Sequence, residues 1–147
     1  MSEINVNILQ CAVISKGSLR IGRIGSGVGV ILYNESAKKG AGLHVLAPNS
    51  GTLNAKNPVM YANTAIPHAL AELEKQGVKG DMHIALAGGA SLLGTTASSG
   101  DVGTEVVNAI KESLKNINHK IEKEETGGNK IRAMILNVDT GEMHIIS

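Results

Sequence analysis

The sequence has very few aromatic residues and a single cysteine. It contains two tyrosines, no phenylalanine and no tryptophan, and the one cysteine is Cys11. One cysteine cannot form an internal disulfide, so we expect a reducing, cytoplasmic setting. Fourteen Lys plus Arg against 13 Asp plus Glu give a formal net charge of +1. Because this balance provides no basic field and few rings on which bases could stack, we expect no nucleic-acid partner.

Long apolar runs are also lacking. No run approaches the roughly 20 residues of a transmembrane helix, and Glu3 stands where a signal peptide carries positive charge. We therefore expect no membrane insertion. The length of 147 residues predicts one domain over residues 1–147. Eighteen glycines without a fixed period, combined with an aliphatic core, favour thin layers whose backbones approach closely.

Hydrophobic patterns predict more strands than helices. Strands are expected at residues 4–15, 19–24, 28–33, 42–47, 82–86, 119–124, 131–138 and 142–146. Helical spacing predicts helices over 59–76, which contains Pro67, and over 102–117, with Asp101 as N-cap. Since strands and helices do not alternate regularly, we predict an α+β fold, a layered mixed β-sheet core with two main helices packed on its outside.

Several short motifs resemble ligand sites without meeting their requirements. Segment 25–29 is glycine-rich, but Val30 stands where a dinucleotide fingerprint needs glycine, and segment 89–96 has phosphate-loop spacing with Thr95 in place of lysine. The five histidines form no pair at metal-ligand spacing: His44, His68, His83, His119 and His144. We therefore expect neither a metal nor a cofactor. By itself, His44 is typical of a structural histidine and Cys11 of a small buried apolar residue.

A set of ordered sequence blocks carries more information than any one motif. The blocks are Ile24-Gly25-Ser26 with Val28, residues 42–48 (GLHVLAP), residues 61–67 (YANTAIP), residues 87–90 (AGGA), residues 126–130 (TGGNK) with Arg132, and Asp139-Thr140-Gly141. In order and spacing they resemble CheD, the family of chemoreceptor glutamine deamidases, across nearly the whole chain. The resemblance implies a layered α+β fold and action on glutamine side chains of methyl-accepting chemoreceptors.

The resemblance also implies a nucleophilic mechanism. A thiolate attacks the carboxamide carbon, a histidine transfers protons, backbone N–H groups hold the oxyanion, and water cleaves the thioester. The family's histidine matches His44. Its cysteine follows the Gly-Ser of the first block, and this position is Gly27 here. We predict that substrate-binding positions include Ser26 and the glycine-rich blocks, namely Gly88, Gly89, Gly127, Gly128 and Asn129.

Three departures from the family pattern indicate a lost activity. Gly27 offers no nucleophile, and Ile21 stands where the family has a threonine that supports the histidine. The segment 102–106 carries Glu105 and Val106 where the family usually has Arg-Asn. The leading hypothesis is a catalytically degenerate homologue that binds chemoreceptors, a chemotaxis phosphatase that partners the family, or both.

Two other classes remain open. An active deamidase would use Cys11, or a water activated by His44, or would have had its cysteine replaced deliberately at Gly27. Because side chains alternate along a strand, Ser26 is expected to face away from His44 and to be a poor substitute. A small-molecule binding module built on the glycine loops would need a pocket lined by Gly88, Gly89 and residues 127–129.

Overall fold

The computed structural model describes residues 3–50, 56–91 and 102–147. Nine strands are present in these ranges: β1 (Glu3–Val6), β2 (Cys11–Ile14), β3 (Ser18–Ile24), β4 (Val28–Asn34), β5 (Lys39–Val45), β6 (Met82–Gly88), β7 (His119–Thr126), β8 (Arg132–Asn137) and β9 (Glu142–Ile146). The two helices are α1 (Ala62–Lys75) and α2 (Val102–Leu114). The predicted α+β class and its two main helices are confirmed.

The strands form two mixed sheets. The outer sheet has the order β1-β3-β8-β9 and the central sheet the order β2-β5-β4-β6-β7. Only β1 with β3 and β6 with β7 run parallel. The single strand predicted over residues 4–15 is wrong, because β1 and β2 belong to different sheets. Asn7 begins a turn between them, where its backbone carbonyl accepts a hydrogen bond from Gln10 N–H.

The central sheet lies between two apolar layers. One core fills the space between the sheets and includes Leu19, Ile21 and Met134. The other lies between the central sheet and the helices and includes Leu43, Ile66 and Ile110. The structure therefore has three layers, with both helices on the face of the central sheet that points away from the outer sheet.

Glycines on the inner face of the central sheet let the two sheets approach closely. A Cβ at Gly29 would lie 2.6 Å from Ile24 Cδ1, and one at Gly42 would lie 2.7 Å from Leu19 Cδ1. Such distances are shorter than van der Waals contact, so only glycine fits at these positions without rearrangement. This packing leaves little space for large aromatic rings and agrees with the thin layers predicted from composition.

Pro67 lies inside α1 rather than at its start. A 3-10 turn, Pro58–Met60, precedes the helix, and the side chain of Asn57 accepts a hydrogen bond from Val59 N–H at the beginning of that turn. The helix predicted over 59–76 therefore begins three residues later than expected. The predicted N-cap Asp101 lies outside the described residues. Within the described ranges, neither helix is long and apolar enough to cross a membrane.

Candidate functional site

Gly27 and His44 lie side by side on the inner face of the central sheet. His44 on β5 pairs with Gly29 on β4, and Gly27 stands two residues before Gly29. Because paired residues share a face, His44 and Gly29 point to the same side of the sheet, and Gly27 lies in the turn that leads into β4. A Cβ at Gly27 would lie 3.3 Å from Nε2 of His44. The resemblance thus assigns the nucleophile to a position that the fold places next to the imidazole.

The neighbouring serine lies in the same turn. Ser26 is exposed, whereas Gly27 and Val28 are buried. The turn precedes β4, so strand alternation does not apply to Ser26, and its orientation away from His44 stays a prediction. An unactivated serine is a weak nucleophile.

His44 is buried with one ring nitrogen unsatisfied. Its exposed fraction is 3%, and its Nδ1 has no hydrogen-bond partner among the described residues. Burial lowers the pKa of His44 below its ordinary value, because desolvation disfavours the imidazolium. The imidazole is therefore neutral at pH 7, with one nitrogen available as an acceptor.

Ile21 lies over the same part of the central sheet. It is fully buried on β3, and its side-chain carbons would contact a Cβ at Gly29 (3.5 Å) and one at Gly42 (3.3 Å). Gly29 is the strand partner of His44, and Gly42 precedes it by two residues. Position 21 thus faces the sheet around the histidine, but an isoleucine cannot hydrogen-bond the unsatisfied Nδ1.

The predicted glycine-rich blocks converge on the turn that contains Gly27. Gly89 N–H donates to Gly27 O at 2.8 Å, and Gly127 N–H donates to Gly88 O at 2.9 Å. Gly88 has a φ of +122°, and a Cβ there would collide with the Gly27 carbonyl oxygen. Ser91 N–H donates to Gly128 O at 2.8 Å. The fold therefore brings Gly88 and Gly89 next to position 27, and Gly127 and Gly128 next to the segment 88–91.

Asn129 and the departure on α2 contribute less to this arrangement. Asn129 is exposed beyond Gly128. On α2, Glu105 is exposed and Val106 is buried in the core beneath the helices. The contact that joins α2 to the site runs instead through Gly103, where a Cβ would collide with the backbone of Gly89.

Arg132 is a site residue to which sequence reasoning gave no role. It is 8% exposed, its Nη1 donates to Gly88 O at 3.3 Å, and its Nε lies 3.9 Å from Glu125 Oε1. Arg132 pairs with Ile24 across an irregularity in the β3–β8 ladder. The guanidinium therefore holds the turn at Gly88 through a hydrogen bond to its backbone carbonyl. The sequence signal that could have indicated a role for Arg132 is its place in the block of residues 126–132.

Cys11 lies on the other face of the central sheet from His44. It pairs with Leu43 in the β2–β5 ladder, so its side chain shares the Leu43 face and packs against the core beneath the helices. Burial, with a smaller contribution from the Glu72 carboxylate, raises the pKa of Cys11 to about 11. This thiol is therefore protonated at pH 7 and directed away from the imidazole.

Four clefts lined by described residues have walls that contain neither Gly88, Gly89 nor residues 127–129. A small-molecule site on the glycine loops therefore stays a prediction. One cleft, of about 590 Å³, instead reaches His44 from the edge of β3. The described residues also contain no group of three or more His, Cys, Asp or Glu side chains that could hold a metal ion.

The fold and the site together define a class: a three-layered α+β protein in which a buried histidine lies beside a glycine in the turn before the adjacent strand. The chain belongs to the CheD family. The family described as CheD chemotactic sensory transduction matches residues 46–147. That match begins after His44, so it includes neither the histidine nor Gly27.

Curated relatives extend the similarity over most of the chain. A probable chemoreceptor glutamine deamidase CheD of Clostridium novyi is 36% identical, and the alignment covers 97% of this chain and 91% of the relative. The chemoreceptor glutamine deamidase CheD of Thermotoga maritima is 37% identical over 82% of this chain and 75% of the relative. A probable chemoreceptor glutamine deamidase CheD of Methanococcus vannielii is 36% identical over 83% and 80%. The predicted chemotaxis family is therefore confirmed.

Proposed function

We propose that this protein is a CheD-family chemotaxis protein that binds chemoreceptors without deamidating them. The observation that carries the proposal is the 3.3 Å between His44 Nε2 and a Cβ at Gly27. A cysteine at this position would bring its thiol to the imidazole, and glycine supplies nothing that can add to a carboxamide. The proposed setting is the cytoplasm, as the single cysteine suggests.

The surroundings of His44 support the loss of the covalent step. Nδ1 of His44 has no hydrogen-bond partner among the described residues, and fully buried Ile21 lies over this part of the sheet. A general base needs a second group that fixes its orientation and tautomer. Removing a triad nucleophile leaves about 10³ to 10⁴-fold catalysis over water, so only weak residual activity is expected.

The retained scaffold supports a binding role. The Gly27 turn is still held by Gly89, and Arg132 still braces Gly88. A surface that is maintained around an absent nucleophile can contact the receptor segment that an active relative would modify. The relatives are named for chemoreceptors, which makes a chemoreceptor the first partner to test. A chemotaxis phosphatase is the second partner in this proposal.

The alternative of an active deamidase has one specific residue to examine, Cys11. Its side chain shares the face of Leu43 rather than that of His44, and its pKa is raised to about 11. Both observations favour the binding role over this alternative. A water activated by His44 is the other route, and it would make activity depend on that histidine alone.

The test is to mix the purified wild-type protein with a chemoreceptor fragment that carries glutamine at its deamidation positions. Binding is followed by calorimetry, and conversion of glutamine to glutamate is followed by mass spectrometry and ammonia release. The expected result is saturable binding with no conversion above a His44→Ala control. Conversion at the rate of a cysteine-bearing relative would contradict the proposal.

The same titration is repeated with a chemotaxis phosphatase in place of the fragment. An absence of binding to both the fragment and the phosphatase would also contradict the proposal.

A further inference from the structure

A cleft of about 590 Å³ opens at the edge of the outer sheet, where β1 ends and β3 continues. The lining side chains that can hydrogen-bond are Asn5, Asn7, Arg20, Arg23 and His44. Gly22 also lines it, and a Cβ there would meet nothing within 4 Å. Its volume lies within the range of about 300–1,000 Å³ that is typical of ligand pockets.

The cleft is positively charged. Arg20 and Arg23 both line it, and none of its lining residues is acidic. Within the described ranges, neither arginine forms an ion pair with a carboxylate. Guanidinium groups are charged at any physiological pH and match a carboxylate in two-point geometry. The two arginines are therefore available to an anionic ligand.

The backbone places Arg23 at this opening by an unusual conformation. Its φ is +53°, in the left-handed region, and the β3–β8 register shifts between Ile21 and Ile24. A bulge of this kind bends a strand locally and redirects a side chain. Left-handed backbone is costly for a residue with a Cβ and is concentrated at functional sites. The conformation is thus consistent with a binding role for Arg23.

His44 also lines the cleft. Its exposed fraction is 3% and its Nδ1 is fully buried, so only a small part of the imidazole borders the cleft. A ligand in the cleft can therefore meet two cationic side chains and the edge of an imidazole.

We propose that this cleft binds a carboxylate carried on a flexible side chain, so that the protein prefers glutamate over glutamine. The proposal rests on the proposed function, which supplies a deamidated chemoreceptor as the source of that glutamate and a chain that has lost its nucleophile. A free glutamate derivative has the same chemistry, and the experiment separates the two sources.

The loss of the nucleophile makes such a preference compatible with function. In a working deamidase, tight binding of the anionic product would slow product release and favour a state other than the transition state. Under the proposed function, a protein with glycine at position 27 has at most weak residual turnover, so slow product release carries no cost. Arginines that would inhibit an enzyme can then serve to recognise the deamidated form.

The first arm of the experiment uses small probes. The N-acetyl, N-methylamide derivatives of glutamate and glutamine are titrated into the wild-type protein, and the imidazole signals of His44 are followed by NMR. The glutamate probe is expected to bind at least about tenfold more tightly, as charge-assisted hydrogen bonds to arginine imply. Equal binding of the two probes would overturn the proposal, and so would tighter binding of inorganic phosphate.

The second arm uses a chemoreceptor fragment with glutamate or glutamine at its deamidation positions. We expect about tenfold tighter binding of the glutamate form, weakened by added salt. If the glutamate probe binds selectively but neither fragment binds, the cleft is a carboxylate site and the receptor function is overturned. Equal binding of both fragments would support the receptor function and overturn the carboxylate preference.

Matched variants locate the effect. Arg20→Gln/Arg23→Gln should reduce the preference for glutamate to near unity. Lys38→Gln/Lys79→Gln removes the same charge from exposed positions that do not line the cleft and should preserve the preference. Equal losses in the two double variants would show a general charge effect and overturn the site. The wild-type comparison of probes decides the matter even where a variant folds poorly.

Discussion

Gly27, in the turn before β4, is a neighbour of His44 on β5, with 3.3 Å between the imidazole Nε2 and the place of a Cβ on the glycine. The same Cβ would lie 2.7 Å from the backbone oxygen of Val45. A side chain at position 27 therefore requires the backbone to shift, and its Cβ then lies beside a base. This geometry makes position 27 the most informative place to alter the protein.

Gly27→Cys is expected to create deamidase activity toward a chemoreceptor fragment. The new thiol would lie beside Nε2 of His44, which can accept its proton. Relative to Gly27→Ala, which introduces the same Cβ without a nucleophile, the rate should rise by about 10²-fold or more. The mass of the fragment reports the conversion. Equal rates for the two variants would show that the remaining scaffold cannot support covalent catalysis.

Ile21→Thr and Ile21→Val distinguish a lost hydrogen bond from lost packing. The two replacements have nearly the same shape, so they remove similar packing at this fully buried position. If the threonine hydroxyl satisfies Nδ1 of His44, the threonine variant should be at least as stable as the valine variant in urea unfolding. A threonine variant less stable by about 1–3 kcal/mol would instead indicate a buried hydroxyl without a partner.

The buried imidazole of His44 should make stability depend on pH. Burial lowers its pKa in the folded state, so the unfolded chain binds the proton more strongly. The free energy of unfolding is therefore highest above the pKa of the unfolded chain, about 6.5. It falls as the pH decreases toward the pKa of the folded state, by at most about 1.4 kcal/mol per pH unit. Urea unfolding between pH 5 and pH 8 measures this slope. His44→Gln should reduce the slope by up to the contribution of one proton.

The control for that slope is His144→Gln, which alters an exposed histidine. This variant should keep the wild-type dependence on pH. If His44→Gln and His144→Gln change the slope equally, the effect does not come from burial at the site.

Cys11 should react slowly with thiol reagents. Burial and the Glu72 carboxylate raise its pKa from 9.0 to about 11, which lowers the thiolate fraction near neutral pH by about 10²-fold. Modification by a disulfide reagent should therefore be slow in the folded protein and fast in urea. In Gly27→Cys/Cys11→Ala, the thiol beside His44 should react much faster. A Cys11 as reactive as an unfolded cysteine would revive it as a candidate nucleophile.

Gly88→Ala and Gly22→Ala should differ sharply in stability. At Gly88 the φ of +122° and the collision of a Cβ with Gly27 O both oppose a side chain. A loss of several kcal/mol, about 2–4, is expected. At Gly22 a Cβ meets nothing within 4 Å, so alanine should be neutral or stabilising by up to about 1 kcal/mol. Thermal unfolding of both variants checks the contrast, and equal losses would contradict the packing described for the Gly88 turn.

Local sequence patterns predicted most elements but not how they assemble. The turn signals around Gly25, Asn34 and Gly141 correctly separated strands, because turn residues act within a few positions of the chain. The pattern over residues 4–15 predicted one strand, since apolar alternation does not report which sheet a strand joins. Only the pairing of β1 with β3 and of β2 with β5 separates the two.

The candidate site divides in the same way. The resemblance alone brought Gly27, Ile21 and His44 to attention, and strand alternation predicted that Ser26 faces away from His44. The cationic cleft could not be predicted, because Arg20 and Arg23 lie 24 and 21 positions before His44 and only the edge of the outer sheet unites them. Arg132 was visible in a sequence block, but its role depends on Gly88, 44 positions away.

The sequence by itself determined that this protein has one cysteine, few aromatic rings and a glycine at position 27, to which the resemblance assigns a nucleophile. These properties belong to the covalent structure, so they limit the reactions of the protein in any fold. Only the tertiary structure decided that Cys11 and His44 occupy opposite faces of one sheet, since the side on which a residue points depends on strand register. Burial in the folded chain then favours the neutral form of both groups, because desolvation raises the pKa of the thiol and lowers that of the imidazole.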